Sequence, residues 1–235
     1  AVLARLDSVS SALPASIQAE KQLKLVAVAF DQGHDDRARK ALDEAAAQSA
    51  KSTSPAQRAR VALARTWFDV ATAADGAPAG RELATFIDDE IARVAEPGPA
   101  KDGSASIHLA LASMLAARGG QVAPARKALG ATRGRSLEHG YYDRAALWRS
   151  ADCEVRHAGD ASKRIECLRA LLDGREYYQT HVALVLAYRA SGDSSAEAEQ
   201  VKWLLQHRGQ AVAELENEAA LIPNLVSTRG LSATP

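Results

Sequence analysis

Cys153 and His157 lie four residues apart, a spacing that puts both on one face of a helix, within reach of each other. A thiol beside an imidazole could act as nucleophile and base. The chain places no glycine-rich oxyanion turn and no orienting residue beside them, so the pair lacks the rest of a catalytic constellation. Cys153, His157, Cys167 and His181 would supply four ligands of the types that zinc prefers, without any of the short Cys-x-x-Cys spacings that mark a zinc site. His34, His108, His139 and His207 are scattered and read as surface or capping residues. The runs RGGQ, GATRGR and PGPAKDG lack the spacing and the following lysine of a nucleotide loop. The expectation is a chain with no catalytic residue, no metal site and no cofactor.

The two cysteines allow a different chemistry. They stand six residues before and eight after Gly159, so antiparallel helices turning there would bring them to similar heights. A disulfide between Cys153 and Cys167 is one outcome, and two small free thiols packed in a core is the other.

The elements that would position these residues follow from a coarse periodicity. Gly33, Gly76, Gly120, Gly159 and Gly192 recur at intervals of 43, 44, 39 and 33 residues, a scale typical of stacked helical hairpins. Between them the apolar residues follow helical spacing, as in Leu23, Val26, Ala27 and Phe30, or Leu83, Phe86, Ile87 and Ile91. Ser54 offers a hydroxyl cap with Pro55 at the first helical position, where the missing N–H costs nothing. The expected fold is all-α: a right-handed solenoid of about five antiparallel helical hairpins with a capping helix at each end, near 2–9 and 210–221. Residues 1–235 form one domain, and the irregular stretch 96–106, with two prolines and two glycines, is the best place for a sub-division. A further basic, glycine-marked loop is expected over 132–140.

The chain has 235 residues, 47% of them hydrophobic, and its 29 basic residues balance 29 acidic ones. No global field draws nucleic acid, and the small cluster of Lys127, Arg133 and Arg135 is narrower than the basic stripe that nucleic acid needs. No apolar run approaches the roughly 20 residues needed to span a bilayer. The first residue, Ala1, suits a mature exported protein, an excised domain or a processed cytosolic chain alike, with the cytoplasm preferred over export.

Aligned on the turn glycine, the hairpins resemble tetratricopeptide repeats. Trp148 takes the aromatic position eleven residues before the turn, and Tyr188 the aromatic position four before it. Ala38 with Leu42, and Ala125 with Leu129, take the small and large apolar positions after it. Arg164 and Glu197 depart from the small position in the last two hairpins. The resemblance implies a protein-interaction scaffold whose first helices line a concave groove. Carried over, the groove residues are Met114 and Arg118 in hairpin three, Arg149, Cys153, Arg156 and His157 in hairpin four, and Leu186 and Arg189 in hairpin five, with Ala27 and Phe30 in hairpin one. Four arginines on one wall would suit an acidic peptide or a terminal carboxylate, since the guanidinium fork pairs with carboxylates in two parallel bonds. Alternatively, they are solvated or paired with Asp152, Glu154 and neighbouring acids. Self-association through the same groove or an apolar end, with 221–235 as the inserted segment, and small-molecule binding inside the superhelix are the other functional readings.

Overall fold

The computed structural model describes residues 13–72, 80–95, 104–136, 142–173 and 176–207. Helices make up their regular structure, with no strand: α1 (Ala15–Asp31), α2 (Asp35–Ser49), α3 (Pro55–Thr72), α4 (Gly80–Ala95), α5 (Ser104–Arg118), α6 (Val122–Ser136), α7 (Tyr142–Arg156), α8 (Ala161–Leu171), α9 (Tyr178–Ser191) and α10 (Ser194–Gln206). The helices expected near 2–9 and 210–221, the turn at Gly76 and the tail lie outside the described residues.

Local chemistry sets several boundaries. The Ser54 hydroxyl accepts the Gln57 amide at 3.3 Å ahead of α3. Asp160 accepts from the Lys163 amide at 3.0 Å ahead of α8, and Asp193 from the Ala196 amide at 3.1 Å ahead of α10. Each satisfies a donor that the helix itself leaves orphaned. Gly33, Gly120 and Gly192 close α1, α5 and α9 in the left-handed region, with φ of 77, 75 and 79°, where a Cβ would crowd the backbone. Gly159 sits in the turn after α7 without that conformation. Nothing lies within 4 Å of a Cβ built on Gly192, so Gly192→Ala should cost only the backbone strain, about 1 kcal/mol, read as a lower urea midpoint with an unchanged slope.

The packing is serial. The first helices contact one another in chain order, α1 with α3, α3 with α5, α5 with α7 and α7 with α9. Each second helix packs on its own first helix and on the first helix of the next pair; α4 also meets α6. Phe30 carries one of these steps, standing edge-on to Trp67 at 5.0 Å and to Phe68 at 5.7 Å, so α1 grips α3 through aromatic contact.

Burial divides the two kinds of helix. α5 is buried at every residue from Ala105 to Ala117, and α9 from Tyr178 to Val185. The second helices bury a single stripe, such as Ala38, Ala41, Leu42 and Ala45 of α2. A helix apolar on every side belongs in an interior, and one with a narrow stripe belongs on a surface. Alanine and serine dominate α5, which lets its neighbours approach from all directions.

Two boundaries differ from expectation. α5 begins at Ser104, inside the stretch expected as loop, and α6 continues to Ser136 where a loop was expected from Thr132. Thr132 is fully buried, its hydroxyl donates to the Leu129 carbonyl at 3.2 Å, and the Trp148 indole N–H reaches the same oxygen at 3.0 Å. That tertiary contact from α7 outweighs the cost of about 1 kcal/mol that Gly130 imposes on a helix interior.

Candidate interaction surface

The helices α7 and α8 and the turn between them carry several of the residues singled out by sequence. Cys153 of α7 and Cys167 of α8 form a disulfide, their Cα atoms 5.7 Å apart and 14 residues apart in the chain. Cys153 is 1% exposed. Its sulfur is therefore neither a nucleophile for His157 nor a zinc ligand, and it cannot line an open groove. His181, the fourth member of the zinc set, turns one ring nitrogen to the Glu176 carboxylate and the other to Gln200 at 2.7 Å. Among the described residues, no group of three or more His, Cys, Asp or Glu gathers in a way that could hold a metal ion. Closing a loop of this length restricts the unfolded chain, so reduction should lower stability by about 2–3 kcal/mol. Urea unfolding with and without a phosphine reductant checks this, and the native chain should leave no thiol for alkylation.

The proposed groove residues scatter. Met114 is 2% exposed inside α5 and belongs to the core, as do Ala27 and Phe30 of α1. Arg118, at the end of α5, donates to both oxygens of Glu154 on α7, at 2.8 and 2.7 Å. Arg156 pairs with Asp152 one turn earlier on α7, and Arg189 donates to Glu197 on α10 at 2.8 and 2.6 Å. His157 and Leu186 are half-buried. Arg149 alone of the four arginines is exposed and without a partner among the described residues. Three of the four arginines thus pair with acids, the alternative expected for them, and Arg149 is the one without a partner among the described residues. The cause is local: Asp152, Glu154 and Glu197 stand close enough to claim their guanidinium groups.

Two buried polar groups escaped the sequence reading. His108, expected at the surface, is fully buried. Its Nδ1 lies 3.0 Å from a Glu90 oxygen, and Arg93 donates to both Glu90 oxygens, at 2.9 and 2.6 Å. An ionised carboxylate only accepts, so the His108 Nδ1 carries the proton and donates. Burial pushes the Glu90 carboxyl up, but the hydrogen bonds from His108 and Arg93 and their charges outweigh it and hold the group below its ordinary 4.5. On the next interface, the hydroxyls of Ser150 on α7 and Thr180 on α9 meet at 2.8 Å.

The signal for both carboxylates was present in the sequence. Glu90 falls on the apolar stripe Leu83, Ile87 and Val94, and Glu154 beside Leu147 and Ala151. A charge at a core position calls for a buried partner.

The motif positions of the resemblance are interior: Ala38, Leu42, Ala125, Leu129, Trp148 and Tyr188 are all buried. No helix among the described residues is long and apolar enough to cross a membrane. No protein-family model, no curated protein and no solved structure matches the chain.

Proposed function

We propose that this chain is a non-catalytic protein-interaction scaffold, a right-handed solenoid of five antiparallel hairpins similar to tetratricopeptide repeats, which holds a peptide or partner protein. One observation carries the reading: among the described residues, substantial helix contacts run only between elements adjacent or next-but-one in the chain. Such serial packing is the signature of an array that grows along one axis and presents an extended surface.

The partner surface differs from the groove that the resemblance implies. The first helices α5 and α9 are closed off by their neighbours, so docking uses the exposed stripe of α7 around Arg149. A free guanidinium there suits an acidic segment.

Affinity capture with the wild-type chain and with Arg149→Glu, followed by cross-link mapping, tests this. A protein captured by the wild type through cross-links on α7, and lost from the variant, is the expected result. Equal capture by both chains would remove Arg149 from the site, and a wild-type chain that captures nothing would sink the scaffold reading.

A further inference from the structure

The unclaimed arginines of the described side chains gather in one stretch of the array. They are Arg126 and Arg133 of α6, Arg149 of α7, and Arg164 and Arg169 of α8. No acid occurs in α6, and on α7 Asp152 and Glu154 are taken by Arg156 and Arg118. Helix geometry places three of these arginines together. At 3.6 residues per turn, the open stripe of α7, through Ala145, Arg149, Asp152 and Arg156, is centred about 70° from Trp148 on one side and from Cys153 on the other. Trp148 faces α6, where its indole meets the Leu129 carbonyl at 3.0 Å, and Cys153 faces α8 through the disulfide. The stripe is therefore the floor of a trough whose walls are α6 and α8.

The exposed face of α6 has two edges. Lys127 marks the one turned to α4, where it meets Asp88 at 2.7 Å. Arg126 and Arg133 mark the other, since they stand three residues before and four after Leu129, within about 60° of it around the helix. They are about 10 Å apart along α6, one on either side of the level at which Trp148 reaches it, and Arg149 is the neighbour of Trp148 in the chain. The one unclaimed acid among the described side chains of these three helices, Glu166, lies about 100° around α8 from Cys167, on its outer face.

We propose that Arg126, Arg133 and Arg149 form one carboxylate-binding site in this trough, and that its ligand is an acidic peptide segment of a partner protein. The inference rests on the scaffold reading and adds to it the α6 residues and the ligand's chemistry. Three cations held close together without a counter-charge repel one another, and carboxylates that enter between them relieve this through paired hydrogen bonds to each guanidinium fork. At about 3.3 Å per residue, acidic residues three apart in an extended segment span the distance from Arg126 to Arg133. A site this short is too narrow for nucleic acid, which needs a longer basic stripe.

The test measures fluorescence anisotropy of a fluorescein-labelled hexaglutamate peptide with the full chain at low salt. Arg126→Gln with Arg133→Gln should weaken binding about tenfold. Lys24→Gln with Lys40→Gln, which removes the same charge from exposed positions on α1 and α2, should leave it within about twofold. If the first pair lowers the helical circular dichroism, Arg126→Lys with Arg133→Lys keeps the charge and removes the forks, and a smaller loss in the same direction is expected. Equal weakening by both Gln pairs would show a diffuse field rather than a site and overturn the inference. Tighter binding of a hexathymidylate strand, lost in the same variant, would overturn the peptide assignment. A wild-type chain that captures a partner through cross-links on α7 yet binds no hexaglutamate overturns this inference and leaves the scaffold reading standing.

Discussion

Arg118→Ala should lower the stability of the folded chain by about 3–5 kcal/mol, because it leaves a buried carboxylate without its cation. Glu154 is 2% exposed, and Arg118 supplies both of its hydrogen bonds across the α5 to α7 interface. The loss is thus far larger than the fraction of a kilocalorie that an exposed pair contributes. Equilibrium urea unfolding measures it. The double variant Arg118→Leu with Glu154→Leu should recover most of the loss, since apolar groups of similar volume commonly replace a buried ion pair at little cost. If the single substitution costs less than about 1 kcal/mol, the pair is solvated rather than buried.

Glu90→Gln is the second large effect, about 3 kcal/mol at neutral pH, because it withdraws the charge that faces His108 and Arg93 inside the interface of α4 and α5. Its pH dependence is the sharper test. The Glu90 carboxyl is held below 4.5 in the fold. A carboxyl whose folded value is depressed gives stability that is present above the unfolded value and lost as pH falls through the folded value. The gap between wild type and Glu90→Gln should therefore be full at pH 7 and narrow as pH drops below about 4.5. A gap constant from pH 7 to pH 3 would mean that the carboxylate contributes no charge to the fold.

The all-helical character could be read from the sequence because helix ends write themselves locally. Gly33, Gly120 and Gly192 mark turns that need a left-handed residue, and Ser54 with Pro55 marks a helix start by its hydrogen-bond chemistry. The interior place of α5 was written in the sequence but not read from it, since Met114 was expected in a groove and His108 at the surface: no Asp, Glu, Lys or Arg appears between Ser104 and Ala117, and a helix without a polar face is an interior one. The site was less legible, since pairing is a long-range property. Arg118 and Glu154 are 36 residues apart, and His108 and Glu90 18 apart. Only the anomaly of a charge on an apolar stripe hints at either. Of the two readings of the four arginines, a shared wall or pairing with Asp152, Glu154 and neighbouring acids, spacing alone did not decide; three of them pair, with Glu154, Asp152 and Glu197. The end of α6 was misjudged because the burial of Thr132 beneath Trp148 is tertiary and overrides the local preference of glycine.

The scaffold reading rests on each hairpin being held only by its neighbours, and native-state hydrogen exchange on wild type and Arg118→Ala tests that most directly. In a serial array, the amides of α5 to α8, which flank the broken pair, should lose protection, while those of α1 and α2 exchange as in the wild type. An equal loss of protection in every helix, α1 and α2 included, would show one indivisible core and contradict the stacked array.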